Sequence, residues 1–239
     1  MEKPVESLTP RSEVYNADCL DVMRKMPDNY IDLAIADPPY SHQGERIDVV
    51  GGRFHGGNRW DKFKKVDGKP IDNDAWDVAP EQVFFDELFR ISKNQIIWGA
   101  NYFPNMPATR CFVIWKKFIP EQFSMAMCEY AWTSFAMNAK IVEFDQRGTA
   151  DDPRFHPTAK PVALYAWLLR NFAKDGDLIF DPMMGSMASR IAAFSMGFDY
   201  IGCEIEPLFF EKGQERFEKM CMGIEKRPDG RQVQQLSLF

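Results

Sequence analysis

Short apolar runs alternate along the chain with longer stretches whose apolar residues recur three and four positions apart. That alternation predicts an α/β fold built on a mainly parallel sheet. Strands are predicted near Glu13–Asn16, Ile31–Ala36, Gln95–Trp98, Phe112–Trp115, Glu129–Thr133, Lys140–Phe144, Leu178–Phe180 and Tyr200–Cys203. A helix is predicted near Cys19–Met26, with Asp18 as its N-cap. Another spans Pro80–Ile91, turning Val83, Phe84, Leu88 and Ile91 inward. In Lys160–Ala173 the residues Val162, Tyr165, Leu168, Leu169 and Phe172 share one face. A helix after Ser186 runs to about Met196, where Gly197 closes it. The last runs from Pro207, suited to a first turn, to about Met222.

Between these elements, residues 41–75 are rich in Gly, Asp, Lys and Arg and have no clear period, which marks a long, functional or mobile loop. Residues 1–225 form one domain on this reading, and 226–239, after Lys226-Arg227-Pro228-Asp229-Gly230, form an extended or mobile tail. A chain of 239 residues with 45% hydrophobic positions supplies one sizeable core and excludes a disordered class. No run approaches the ~18 apolar residues of a membrane span. The opening MEKPVESLTP has no apolar secretory core, so a cytoplasmic protein is expected. Five cysteines without a C-x-x-C pair, and three histidines, give no disulfide framework and no metal site.

The net charge of −6 argues against nucleic acid as a partner only weakly, because the distribution is uneven. Arg53, Arg59, Lys62, Lys64 and Lys65 fall in one stretch with Asp61 as its sole acid, interleaved with Phe54, His55, Trp60 and Phe63. Such a segment suits a polyanion; a solvated loop explains it equally well.

Leu178–Glu206 reads as strand, turn with Gly185, helix, strand, acid. In doubly wound folds that unit takes an adenosine-bearing ligand, the glycine allowing close backbone approach and the acid accepting from ribose hydroxyls. Glu204 has the expected spacing from Gly185. The turn is not G-x-G-x-x-G and has no P-loop lysine, so a phosphate-free ligand, S-adenosylmethionine, fits better. An ordinary strand–turn–helix accounts for the segment as well.

Asp37-Pro38-Pro39-Tyr40 follows an apolar strand that two consecutive prolines must end. The stiff arc carries a carboxylate at one end and an aromatic ring at the other. An exocyclic amine conjugated to a base is a poor nucleophile. The Asp37 carboxylate and Pro38 carbonyl can accept both its hydrogens and favour the pyramidal nitrogen of the transition state. Tyr40 can stack on the base. A proline-stiffened strand exit with a packed Tyr is the plainer account of the tetrapeptide alone.

Taken together these segments resemble the beta-class DNA amino-methyltransferases, the permuted family that methylates adenine N6 and cytosine N4. The resemblance covers nearly the whole chain. YNADCLDVMRKMPDNYIDLAIADPPY is similar to the family's opening; WGANYFP, Cys111–Lys116 and EYAWTSF to its middle strands. His156-Pro157-Thr158-Ala159-Lys160-Pro161 matches its HPxxKP segment. Phe180–Ser186 and Ile201–Glu204 match its cofactor loop and ribose acid.

The resemblance implies a class I, Rossmann-like methyltransferase fold: a seven-stranded, mostly parallel sheet with one antiparallel strand. It implies that Asp37, Pro38, Pro39 and Tyr40 bind and activate the target base. It groups Asp18, Cys19, Asp181, Gly185, Ser186 and Glu204 around S-adenosylmethionine, with His156 and Lys160 closing the site. The chain departs from the family's DPFxGSGT loop at Met183 and Met187, and from its middle Trp-Asp-Lys at Trp115-Lys116-Lys117. The expected substrate is double-stranded DNA with the target base flipped out, Asp37 favouring adenine over cytosine. The basic loop, and Arg147–Arg154 before the HPxxKP match, are the expected DNA contacts. Gln235-Leu236-Ser237-Leu238-Phe239 resembles the peptide that binds the bacterial sliding clamp, its anchors Leu236, Leu238 and Phe239 suiting a partner groove. That implies a bacterial or phage-infected cell; a tail docked on its own domain is the other account. N4-cytosine methylation, a catalytically lapsed DNA-binding relative and an RNA or protein amine methyltransferase are the competing functions.

Overall fold

The computed structural model describes residues 9–40, 78–123, 126–145, 155–156 and 158–226, with short paired segments at 65–66, 69–70 and 232–234. The described strands are β1 (Ser12–Tyr15), β2 (Ile31–Ala36), β3 (Lys65–Val66), β4 (Lys69–Pro70), β5 (Ser92–Trp98), β6 (Phe112–Lys116), β7 (Cys128–Thr133), β8 (Lys140–Glu143), β9 (Leu178–Asp181), β10 (Asp199–Cys203), β11 (Ile224–Lys226) and β12 (Gln232–Gln234). The α-helices are α1 (Cys19–Met23), α2 (Gln82–Ile91), α3 (Val162–Phe172), α4 (Ala188–Ser195) and α5 (Pro207–Met222).

Eight strands form one sheet in the order β1-β10-β9-β2-β5-β7-β6-β8. The expected number was seven; β1 and β8 close its two edges. Only β7 runs antiparallel to its neighbours β5 and β6, while β6 and β8 pair in parallel. The chain leaves β9 for β10 on one side and β2 for β5 on the other. The sheet therefore reverses its winding between β9 and β2, where Leu33 lies opposite Ile179 and Ala34 opposite Phe180. In open α/β sheets ligands bind outside the carboxyl ends of strands at such a point.

Both sheet faces are covered, as a parallel sheet requires. Leu33 and Ile35 of β2, Ile96 and Trp98 of β5 and Ile179 of β9 join a core completed by Leu164, Leu168 and Leu169 of α3 and Ala188 and Ala192 of α4. The intervening Ala34, Ala36, Ile97 and Phe180 face a second core with Met23 of α1 and Phe84, Leu88 and Ile91 of α2. Alternation with a period of two sends each strand into both layers.

Helix ends follow local chemistry. Asp18 caps α1 by accepting from the Leu20 amide at 2.8 Å. This helix stops at Met23 rather than near Met26; Pro27 disfavours helical backbone at the residue before it. After α4, Gly197 takes φ +81° and the amides of Gly197 and Phe198 donate to Phe194 and Ala193. β11 and β12 pair antiparallel, so Gln232–Gln234 of the tail is extended and hydrogen-bonded to the segment after α5. No helix among the described residues is long and apolar enough to cross a membrane.

Candidate active site at the carboxyl edge of the sheet

Two groups of side chains meet where β9 and β2 adjoin. The first gathers at the ends of β9, β10 and β1. Asp181 closes β9 and is 1% exposed. Its Oδ1 accepts from the Met183 amide at 2.9 Å and its Oδ2 from the Ser189 hydroxyl at 2.6 Å, which ties the loop after β9 to α4. Glu204 follows β10. Its Oε2 accepts from the Gly185 amide and its Oε1 from the Glu206 amide, each at 2.8 Å. Asn16 after β1 donates to the Glu204 carbonyl at 2.7 Å and aligns the two strand ends. Burial pushes Asp181 and Glu204 up to about 7, against the pull of the groups that donate to them. Burial likewise pushes the Cys19 thiol up to about 12, helped by Asp18 and Asp181. Asp18, Cys19, Asp181 and Glu204 are thus one electrostatic neighbourhood.

Gly185 has φ +50°, and a Cβ there would stand 3.1 Å from the His156 ring. His156 packs edge-on against Phe209 of α5, with its Nδ1 3.2 Å from the Thr158 hydroxyl. Ser186 is buried and its carbonyl accepts from Arg216 at 2.7 Å. The two departures in this loop are accommodated by packing. Met187, fully buried, lies on Gly213 of α5, where a Cβ would come within 2.7 Å of its side chain. Met183 is half-buried against the core beneath β10 and β9.

The second group surrounds Asp37. Tyr40 donates its hydroxyl to Asp37 Oδ1 at 3.1 Å and stacks on Tyr102 with ring centroids 4.8 Å apart. Its ring rests directly on Gly99, which adopts φ +64°. The other Asp37 oxygen pairs with the Lys160 ammonium. Lys160 lies 3.2 Å from Glu129 Oε2 and 5.2 Å above the Trp98 ring. Lys117, just beyond β6, donates to Glu129 Oε1 at 2.8 Å. The result is a chain of alternating charge: Asp37, Lys160, Glu129, Lys117. The Lys160 side chain is 3% exposed against 14% for Asp37 and 26% for Glu129, so the ammonium is the most enclosed member of the three.

Burial is the largest influence on Asp37 and raises it; Lys160 opposes this and Glu129 adds to it, leaving Asp37 above the ordinary carboxylate range. Burial would raise Glu129 too, but Lys160 and Lys117 together hold it at about 2. Burial disfavours the Lys160 ammonium, yet Asp37 and Glu129 outweigh it and keep Lys160 more basic than usual.

Sequence reasoning placed Asp18, Cys19, Asp181, Gly185, Ser186, Glu204 and His156 together, and the structure brings them together. Lys160, grouped with them by resemblance, pairs with Asp37 instead. Glu129, Lys117, Gly99 and Tyr102 were missed as site residues. Of the five basic residues only Lys65, paired with Pro70, has its backbone described; Arg53, Arg59, Lys62 and Lys64 lie outside the described residues, as do 147–154 and the tail residues Gln235, Leu236, Leu238 and Phe239.

Asp37 follows β2 and Asp181 ends β9, and these strands pair in parallel, so the two groups lie at adjoining strand ends. The loop half is a cradle whose glycine admits close backbone approach. The other half has a carboxylate, stiff prolines and stacked rings suited to a flat amine. Comparison with known proteins gives the family and the fold. A family model described as DNA methylase, for N6 and N4 methyltransferases, matches residues 74–215, a stretch that begins after Asp37–Tyr40. The type II methyltransferase M2.MboI of Moraxella bovis is 25% identical over 251 residues, covering 90% of each chain. Among solved structures, a protein described as a DNA modification methylase, from Thermus thermophilus and complexed with S-adenosyl-L-methionine, superimposes with a TM-score of 0.54. It is 18% identical and covers 89% of this chain and 95% of its own. The cytosine-N4-specific PvuII DNA methyltransferase gives a TM-score of 0.55 at 13% identity, covering 89% and 93%. With its profile matched over more than half its length, the chain belongs to the N6/N4 DNA methylase family.

Proposed function

We propose that the protein transfers a methyl group from S-adenosylmethionine to the exocyclic N6 of adenine in double-stranded DNA. The observation that carries this reading is the meeting of Asp37 and Tyr40 with the Asp181–Glu204 loop across the β9–β2 junction. The residues at the cradle fit the cofactor: Gly185 has left-handed backbone, and a side chain there would fill the space beside His156. When bound, the cofactor supplies a methyl group on a sulfonium sulfur.

The chain's own residues do the rest. Glu204 accepts from ribose hydroxyls, with Asp18 and Cys19 beside the adenine. Asp181, held by Ser189 and the Met183 amide, fixes the loop that carries Gly185 and Ser186. His156 and Phe209 wall the cradle. Across the junction, Tyr40 and Tyr102 supply a stacked aromatic platform for a planar base. Asp37 and the Pro38 carbonyl accept from the amine and favour its pyramidal form. A base inside a duplex is out of reach of such a pocket, so the target is flipped out. The basic residues Arg53, Arg59, Lys62, Lys64 and Lys65 grip DNA. The Gln235–Phe239 peptide tethers the enzyme to a sliding clamp in a bacterial or phage-infected cell.

N4-cytosine methylation is the second reading, and the likeness to the PvuII enzyme favours it. Asp at position 37, which the family resemblance associates with adenine, weighs the other way. Labelled S-adenosylmethionine and unmethylated genomic DNA, digested to nucleosides after incubation, decide between them. Label in N6-methyl-2′-deoxyadenosine supports the proposal; label in N4-methyl-2′-deoxycytidine replaces adenine with cytosine; no label supports the lapsed relative. Clamp tethering is tested by deleting residues 235–239, which should abolish clamp pull-down and leave methylation of short duplexes intact.

A further inference from the structure

The Asp37 carboxylate has a difficulty as an acceptor for a target amine. Its Oδ2 is already paired with a buried ammonium. A lone Lys160 would hold Asp37 charged, lower its affinity for a proton and bias it against neutralisation. Lys160 is not alone with Asp37, however. Glu129, at the start of the antiparallel strand β7, reaches the same ammonium at 3.2 Å, and is itself anchored by Lys117 at 2.8 Å. Burying four charges is costly unless they compensate one another. Here two cations and two anions do so in sequence.

We propose that Glu129 is a positioning residue that shares Lys160 with Asp37, so that Asp37 can take up the proton released by the target amine while Lys160 keeps a counter-charge. This rests on the reading that Asp37 contacts that amine. In the reaction the target nitrogen uses its lone pair to bond to the methyl carbon, and the electron pair of the broken carbon–sulfur bond stays on sulfur. The nitrogen, now cationic, loses one N–H proton to Asp37 and recovers that bonding pair. Lys160 remains paired with Glu129 while Asp37 is neutral, and Asp37 then passes the proton to solvent. The opposite displacements of the two acids, Glu129 down and Asp37 up, agree with this division of labour. Lys117 sets its strength by competing with Lys160 for Glu129.

The groups that face Asp37 are Lys160 before α3, Glu129 of β7, Asp181 of β9, Tyr165 of α3 and its own neighbour Tyr40; Lys117 faces Glu129. Among the described titratable groups, Glu129 and Lys117 touch the Lys160 cation or its partner without a hydrogen bond or ion pair to Asp37. The inference therefore predicts displacements of opposite sign. In Glu129→Gln, Lys160 belongs to Asp37 alone, so Asp37 becomes more acidic. The acid limb of the single-turnover rate profile moves to lower pH and the rate falls by up to about tenfold. In Lys160→Met and in Lys117→Met, Asp37 is relieved of positive influence and the limb moves to higher pH. Glu129→Asp retains the charge and restores the wild-type profile.

The same displacements are read without turnover by following the Asp37 carboxyl carbon through an NMR pH titration of cofactor-free protein carrying labelled aspartate. If Glu129→Gln unfolds the protein, Lys117→Met and Glu129→Asp still carry the sign test. An Asp37 titration in Glu129→Gln at or above its wild-type position overturns the inference, as does a loss confined to melting temperature with both pH readouts unmoved. Absence of methyl transfer in the wild type counts against the proposed function instead, and leaves the carboxyl titration to decide this one.

Discussion

The amide of Gly185 donates to Glu204 Oε2 at 2.8 Å, which latches the loop after β9 to the acid after β10. Gly185 can make that bond because it occupies φ +50°, where an L side chain costs about 1–2 kcal/mol. A Cβ would also press on His156 from 3.1 Å. Gly185→Ala should therefore lower stability by about that amount and weaken S-adenosylmethionine more than DNA. Thermal melts and calorimetric titrations check this; cofactor affinity equal to wild type would detach Gly185 from the cradle.

If Glu204 holds the cofactor ribose as proposed, it should make cofactor binding sensitive to pH. Burial raises this acid to about 7 despite two donating amides. A raised folded-state value means that its contribution to stability is fully present below its ordinary value of 4.5 and lost as pH rises through about 7. Asp181 acts in the same direction over the same window. Ribose hydroxyls donating to Glu204 would favour its charged form, so binding should release a proton near neutrality. Affinity for S-adenosylmethionine should rise between about pH 6 and about pH 8, by no more than about tenfold per unit. Calorimetry in two buffers of different ionisation enthalpy measures the proton release. Glu204→Gln should abolish it, and an unchanged release would transfer the linkage to Asp181.

The sheet was legible in the sequence because its central strands are short apolar runs, with β2 ended by Asp37-Pro38, β5 by Gly99 and β9 by Asp181-Pro182, and all eight strand readings have counterparts in it. The cofactor half of the site was legible for the same reason: Asp181, Gly185 and Glu204 lie in one strand–turn–helix–strand unit. The charge partners of Asp37 were not. Glu129 and Lys117 are remote from it in sequence, and only the reversed direction of β7 brings the start of that strand to the carboxyl edge. An alternating apolar pattern carries no strand direction. Gly99 was equally hidden, since nothing before Tyr40 folds onto it distinguishes it from other strand-ending glycines.

Asp37 should separate catalysis from cofactor binding. Its polar contacts are Tyr40 and Lys160, whereas the Gly185 amide is held by Glu204. Removing a group that stabilises developing charge costs about 10²–10³ in kcat. Asp37→Ala should lose at least that much methyl transfer while its affinity for S-adenosylmethionine stays within about twofold. Residual turnover near wild type would assign the amine contact elsewhere.

The basic loop makes a prediction about salt. Each phosphate contact contributes about 0.9 to the slope of log affinity against log salt. If Lys62, Lys64 and Lys65 grip the backbone, replacing all three with Ala should flatten that slope by more than one contact's share and weaken binding to every sequence alike. A slope matching the wild type would remove the loop from the DNA interface.

Gly99 should report on the target base. The Tyr40 ring occupies the place where a Cβ would be, with its Cε1 only 1.9 Å away. Gly99→Ala must therefore push Tyr40 off its stack with Tyr102, and the left-handed φ of +64° adds backbone strain. An aromatic stack is worth about 1 kcal/mol beyond its buried area, so the platform, rather than the sheet beneath it, takes the loss. KM for DNA should rise several-fold and kcat should fall as the base loses alignment with Asp37, while S-adenosylmethionine binds as before. Tyr40→Phe isolates the hydroxyl: it keeps the stack and loses only the bond to Asp37. Its KM should stay near wild type, and a KM as high as that of Gly99→Ala would make the hydroxyl, not the ring, the feature that holds the base.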